Sequence, residues 1–357
     1  MIPYIFLLTV PILLYPFVKD TTINRVSLSK IPLSLFFVIL TLLVMLRHQY
    51  VGNDTISYIH FFEHIARSSA NQFRRDSLES GYWLFNWVVS RLSKNPHFFI
   101  AISGLAVSAM LYPTYRRLCE DAPLTIVLFC TMSTFLMMFS GIRQMLAIGM
   151  GMIAYSFVRR KKPVAFLLAV AVAMSIHTSA FMLLIMYPLY HVRLNKKWAF
   201  FMTPLLLLAF VFNRQIFHVL GTFLQSYTDY DVVETSTGAY TMLLVFLAFT
   251  VFSFVIPDET LLDDETVGLR NFLLFSMVIQ MFAPLNYLAM RMNYYYIIFI
   301  PLLLPRIIRL SSFKYRGVAA AARNIMVVFF FVYFFLRANS SNTLRTVPYH
   351  FFWEYYR

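Results

Sequence analysis

The sequence predicts an all-α, polytopic integral membrane protein, on three observations. Hydrophobic residues make up 60% of the 357 residues and charged residues 13%, too few charges to solvate a soluble fold of this size. The apolar residues gather into about twelve runs joined by short polar loops, some runs shorter than a full span or re-entrant. Lys and Arg outnumber Asp and Glu by 30 to 16, and they fall mainly in those loops. That is the positive-inside pattern of a membrane protein, which excludes a nucleic-acid partner as the reason for the +14 charge. No polar stretch is long enough to bury a core of its own, so residues 1–357 read as one polytopic membrane domain.

The runs are Ile2–Val18, Ile31–Leu46, Phe98–Tyr115, Pro123–Phe139, Gln144–Val158, Pro163–Ile176, Ala180–Tyr190, Trp198–Phe212, Tyr240–Ile256, Asn271–Ala289, Asn293–Ile308 and Asn324–Leu336. Ile2–Val18 lacks the basic start and small-residue cleavage site of a signal peptide, so it reads as the first span. Several runs fall short of the roughly 20 residues a span needs, and tilt or local thinning must supply the difference. Cys119 and Cys130 would lie about 16 Å apart along a helix, too far for a disulfide.

Orientation follows from the basic loops, which hold Lys19, Arg25 and Lys30; Arg116 and Arg117; Arg159 to Lys162; Arg193, Lys196 and Lys197; and Arg306 to Arg323. Placing all of these in the cytoplasm puts the N-terminus outside. It also requires Pro163–Tyr190 to be a hairpin with His177 at its outer tip. Two extracytoplasmic loops follow, residues 47–97 with amphipathic or interfacial helices and residues 220–239. In the first, Gly52 and Asn53 read as a turn and Asp54 as a helix N-cap. Ile56, Ile59, Phe62 and Ile65 then recur at helical spacing. The stretch Tyr82 to Leu92 is apolar but about half a span, and is expected in the interface.

The candidate site centres on Ser140-Gly141-Ile142-Arg143-Gln144. A charge inside an apolar run costs about 3 kcal/mol or more and needs a partner or a task. Gly141 permits a sharp break, so two helices are expected to meet there with Arg143 just inside the second. The alternative is an Arg snorkelling to the interface or pairing with a carboxylate. With this topology Arg143 and Gln144, His177, and Arg291 in Ala289-Met290-Arg291-Met292-Asn293 sit at outward tips. Cations then gather on one face. In the second outer loop, Asp229 and Asp231 have the form of a metal clamp, but that pattern is common by chance and no metal is assigned. Tyr227 and Tyr230, with Tyr82 of the first loop, offer sugar-contacting rings, although a solvated loop fits the former pair as well.

Several fragments together resemble one family. They are Arg47 with Gly52-Asn53-Asp54 and the Tyr58, Phe61 pair; Glu79-Ser80-Gly81-Tyr82; Ile142-Arg143-Gln144-Met145-Leu146-Ala147; His177-Thr178-Ser179-Ala180; and Arg291 with Tyr294 and Tyr295. Each is weak alone, but their order and spacing resemble the EpsG/Wzy-type polysaccharide polymerases over roughly residues 40–310. The resemblance implies a GT-C-like polymerase architecture in the bacterial plasma (inner) membrane. It implies transfer of a growing glycan from undecaprenyl diphosphate to a lipid-linked repeat unit on the periplasmic or exterior face, as in O-antigen and exopolysaccharide biosynthesis. Its partners would be the lipid-linked donor and acceptor, membrane lipid and a chain-length regulator.

The residue chemistry suits such a reaction. Arginine forks match a departing diphosphate, and Arg143, Arg291 and Arg47, with Gln144, are the candidates to bind it. If arginines do this work, the reaction needs no metal and no cofactor. His177, Asp54 and Glu79 are the candidate general bases for the acceptor hydroxyl. Each has a structural alternative: a hydrogen-bonding His at a turn, a capping Asp, an ion-paired Glu. The rival readings are a flippase or transporter for lipid-linked oligosaccharide and an O-antigen-ligase-like transferase. A transporter should show internal repeats, and no convincing repeat is present.

Overall fold

The computed structural model describes residues 1–23, 26–68, 79–223, 238–340 and 343–354. Among these it contains seventeen α-helices. They are α1 (Ile2–Val18), α2 (Ile31–Met45), α3 (Thr55–Arg67), α4 (Ser80–Leu92), α5 (Pro96–Leu118), α6 (Ala122–Thr131), α7 (Ser133–Ser140), α8 (Ile142–Arg159) and α9 (Pro163–Ile176), followed by α10 (Met186–His191), α11 (Lys196–Val211), α12 (Asn213–Phe223), α13 (Gly238–Val255), α14 (Asp264–Gln280), α15 (Tyr287–Ile297), α16 (Ile300–Ser312) and α17 (Arg316–Ser340). A two-residue antiparallel pair, Thr22–Ile23 with Val26–Ser27, closes the loop between α1 and α2.

The all-α membrane architecture is as expected, but the helices are more broken than the apolar runs suggest. Among the described residues, α5, α13 and the Arg316–Leu336 part of α17 are each long and apolar enough to cross a membrane. Three further pairs would qualify as bent spans: α6 with α7, α11 with α12, and α15 with α16. Shorter apolar helices are α1, α2 and α9. The run Pro123–Phe139 was expected to be continuous, yet it bends by 59° after Thr131. The Thr131 hydroxyl donates back to the carbonyls of Val127 (2.7 Å) and Leu128 (3.2 Å), a pattern that bends helices. The run Asn271–Ala289 breaks at residues 281–286, because Pro284 cannot continue the helix and Asn286 caps the next one through Leu288 N–H at 2.8 Å.

The chain forms two compact units, Met1–Leu184 with Ala322–Arg357, and Ile185–Ala321. In the first, α8 and α9 pack along their length, as do α2 with α5 and α5 with α8. The chain turns back at His177. Leu183, in the 3-10 helix Thr178–Ile185, lies against Gly151, two turns down α8 from Arg143. This is the hairpin that the basic loops require. Tyr4, Phe135, Phe139, Phe334 and Tyr349 meet edge-to-face in the core. Residues 343–354 form a strap across residues 46–53, which follow α2. Backbone N–H groups of His48, Gly52 and Asn53 donate to His350, Arg345 and Leu344 (2.8–3.0 Å), and Phe352 N–H donates to Leu46 (2.9 Å).

In the second unit α14 packs against α10, α13, α15 and α16. Arg270, fully buried, holds Glu259 with two nitrogens (2.8 and 3.2 Å) and donates to the Leu194 carbonyl (2.5 Å). Ser276, Gln280 and Asn293 form a buried polar network joining α14 to α15. The amide network satisfies its buried groups, as a low-dielectric interior requires, and two of the three Arg270 nitrogens are bonded while its Nε is left without a hydrogen bond.

Gly52 has φ +99°, and a Cβ there would lie 2.2 Å from the Phe139 carbonyl oxygen. Gly52→Ala is therefore expected to destabilise the protein by about 1–3 kcal/mol through backbone strain alone. A lowered apparent Tm of the purified variant in detergent is the measurement; an unchanged Tm would contradict the close approach.

Candidate functional site

The site is built at the broken junction between α7 and α8. The Thr55 hydroxyl donates to Val51 (2.9 Å) and reaches Phe139 (3.2 Å), and Asp54 N–H points at Ser140 Oγ (3.4 Å). The segment between α2 and α3 thus holds the end of α7, with Gly141 between the helices as expected. Arg143 is the second residue of α8. A cation in the first turn opposes the helix dipole, so this position favours a nearby anion.

That anion is Glu79. Arg143 Nη1 donates to Glu79 Oε2 at 2.9 Å, with the two side chains 25% and 18% exposed. The other carboxylate oxygen accepts from Thr178 twice, from the backbone N–H at 3.1 Å and from the hydroxyl at 3.0 Å. His177 Nδ1 lies 3.4 Å from the same oxygen, close enough for an ion pair and long for a well-made hydrogen bond. Glu79 arrives there as the residue before α4, whose first turn abuts the end of α9. Gly81 makes that contact feasible, since a Cβ would sit 2.2 Å from Ser175 Oγ. The Arg143 guanidinium also lies 5.9 Å from the Tyr82 ring centroid.

Burial pushes the Glu79 carboxyl up, but His177, the Arg143 charge and the Thr178 N–H outweigh it and hold the pKa at about 2. A carboxylate held so low is a poor proton acceptor at neutral pH. Of the three candidate bases, Glu79 is therefore an organising anion rather than a general base.

Arg143, Glu79 and His177 are thus brought together. Other expected site residues are placed differently. Gln144 and Tyr82 are buried, because their side of the helix faces the packed interior, and neither offers a surface to a ligand from solvent. Arg47 is completely buried beneath the strap, where it pairs with Phe351 as an isolated bridge and donates to the Val44 carbonyl at 2.9 Å. Burial lowers its pKa to about 10, so it stays charged, but it is not an open phosphate clamp. Arg291 does not sit at a hairpin tip. Because the chain breaks at Pro284, it falls inside α15, in the second unit, with its guanidinium 5.6 Å from the Tyr287 ring centroid. Asp54 does occupy the N-cap of α3, yet its side chain makes no cap hydrogen bond. Tyr227, Tyr230, Asp229 and Asp231 lie outside the described residues.

Thr178 received no role from the sequence, although it supplies two of the bonds that fix Glu79. The signal was its place directly after His177 at the start of the next helical segment, where backbone N–H groups lack intrahelical partners.

Two compact helical units, with several apolar helices and an arginine–carboxylate–histidine cluster at a helix break, define a multi-pass membrane protein with a polar site in an apolar scaffold. The sequence pattern of the EpsG family matches residues 30–351, and the chain belongs to that family, which is associated with polysaccharide polymerisation. No curated protein and no solved structure matches the chain.

The low pKa of Glu79 carries a pH signature. Its folded value of about 2 lies below the ordinary 4.5, so the stability it confers is complete above pH 4.5 and is lost as pH falls through 2. Wild type should have the higher apparent Tm relative to Glu79→Gln at neutral pH, and the gap should close between about pH 4.5 and 2. A gap that persists at pH 2 would contradict the assignment.

Proposed function

We propose that this protein is a glycosyltransferase that polymerises lipid-linked oligosaccharide repeat units on the exterior face of the bacterial plasma membrane. The observation that carries the reading is the cluster of Arg143, Glu79, His177 and Thr178, together with membership of the EpsG family. The donor is a glycan on undecaprenyl diphosphate and the acceptor a sugar hydroxyl of the next repeat unit. The hydroxyl oxygen attacks the anomeric carbon as the bond to the diphosphate breaks, and the electron pair departs with undecaprenyl diphosphate. The acceptor's proton passes to His177, whose Nδ1 faces Glu79 and whose Nε2 is then the accepting nitrogen. Glu79, itself held by Thr178, positions the imidazole. Arg143 stabilises charge developing on the leaving diphosphate, a task for which one well-aimed donor contributes roughly 3 kcal/mol. Direct displacement with inversion is the simplest course, since the one carboxylate in the cluster is already engaged by Arg143 and Thr178.

Deleting the protein in its host and resolving the surface glycan on a gel separates the readings. Loss of a polymerase leaves single repeat units on the anchor. Loss of a flippase leaves none, and loss of a ligase leaves polymer on the lipid carrier. Arg143→Lys at normal expression should lower polymer formation about a hundredfold, since the charge remains but the fork is lost. His177→Gln should abolish it to a similar or greater degree. Normal chain length in either variant would remove that residue from the mechanism.

A further inference from the structure

Helix α3 carries a stripe that the mechanism above leaves unused. Asp54, Tyr58 and Phe61 recur at i, i+4 and i+7, so they line one side of the helix. The neighbouring stripe of Ile59, Phe62 and Ile65 is buried, with Phe62 stacked on Phe99 of α5 at 4.8 Å between centroids. This packing fixes the rotation of α3 and leaves Asp54, Tyr58 and Phe61 half-buried at its edge. Their position is next to the cluster. Phe61 stacks on Tyr82 (5.7 Å, 15°) and Tyr58 meets it edge-on (6.0 Å), and Tyr82 is the ring beside the Arg143 guanidinium. At the other end of the stripe, Asp54 N–H points at Ser140 Oγ, three residues before Arg143.

We propose that this stripe is a sugar-binding subsite, in which a pyranose ring lies on the Tyr58 and Phe61 rings and donates hydroxyl hydrogen bonds to the Asp54 carboxylate. The chemistry selects the ligand class. An anionic group is repelled by Asp54, and a cation by the adjacent Arg143. A purely apolar ligand would strip water from a carboxylate without replacing its hydrogen bonds. A neutral polyol satisfies both halves, offering an apolar C–H face to the rings and donors to an acceptor-only carboxylate. The inference rests on the polymerase reading for the identity of the sugar, which is the repeat unit whose hydroxyl or anomeric carbon must be presented to His177 and Arg143. It also reassigns the sugar contact from buried Tyr82 to the two rings that cover it.

The test is a binding measurement that needs no turnover. Full-length protein in detergent is titrated with the single repeat-unit oligosaccharide released by partial hydrolysis of the host's surface polysaccharide, free of lipid and phosphate. Binding is read from the fluorescence of Trp83 and Trp87, which stack on each other in α4 beside Tyr82, and checked by calorimetry. Saturable binding is expected, weakened about tenfold or more by Tyr58→Ala and by Asp54→Asn. Tyr58→Phe should retain most of it, which separates ring stacking from a folding defect, and Val88→Ala on the exposed side of α4 is the control. Equal affinity of wild type and both stripe variants would overturn the proposal, as would absence of binding to folded wild type. Displacement of the oligosaccharide by inorganic diphosphate would assign the stripe to phosphate and likewise overturn it. Stripe-dependent binding in a host whose deletion strain still polymerises normally would uphold the subsite while refuting the polymerase reading.

Discussion

The first unit is organised around the carboxylate of Glu79. Arg143 stands within an apolar helix, where an unpaired cation costs several kcal/mol, and Glu79 provides its counter-charge at 2.9 Å. The same carboxylate receives Thr178 and faces His177 with its other oxygen, so three helical elements are tied through two atoms. Removing Glu79 would leave a partly buried guanidinium and an unanchored helix end together. The stability of this corner and its chemistry therefore depend on one side chain.

The scaffold around it explains why that side chain is held. Two glycines permit the close approaches: Gly52 lets the segment before α3 meet the end of α7, and Gly81 lets the start of α4 meet the end of α9. The first fixes where α8 begins and hence where Arg143 points. The second fixes where Glu79 sits. The strap of residues 343–354 then pairs with the same segment, so residues late in the chain restrain the turn next to α8. Arg47 belongs to this restraint. Its burial beneath the strap gives it a structural place in the loop rather than a surface for substrate.

Much of this was legible in the sequence, and the failures have physical causes. Apolar runs and basic loops indicate a membrane protein because the bilayer requires them, and Gly141 marks a helix break because glycine is a poor helix former. The hairpin at His177 follows from charge placement alone. Burial is what composition does not specify. Arg47, Gln144 and Tyr82 have the right chemistry for ligand contact, but the helix rotation and the strap that bury them depend on residues far away in the chain. Arg291 was misplaced because a long apolar run hid Pro284 and the Asn286 cap, and local turn chemistry overrode hydropathy. Thr178 was passed over because its partner lies 99 residues away, a separation at which no local pattern operates.

The division of labour within the Glu79 carboxylate bears on what the cluster can bind. A compact ammonium in place of Arg143 would be drawn fully to the carboxylate, since a point charge is best neutralised by one partner. A guanidinium distributes its charge over several donors in a fixed plane. With Nη1 committed to Glu79, a ligand can approach the remaining edge without breaking the ion pair, and 25% of the side chain is exposed to allow it. Glu79 keeps its own charge there, because its pKa lies far below neutrality, so an arriving anion meets a cation already half compensated. In the proposed reaction, tight ground-state binding of a diphosphate would thereby be disfavoured. The interaction would strengthen as negative charge accumulates on the proposed leaving oxygen, which is the condition under which binding energy lowers a barrier.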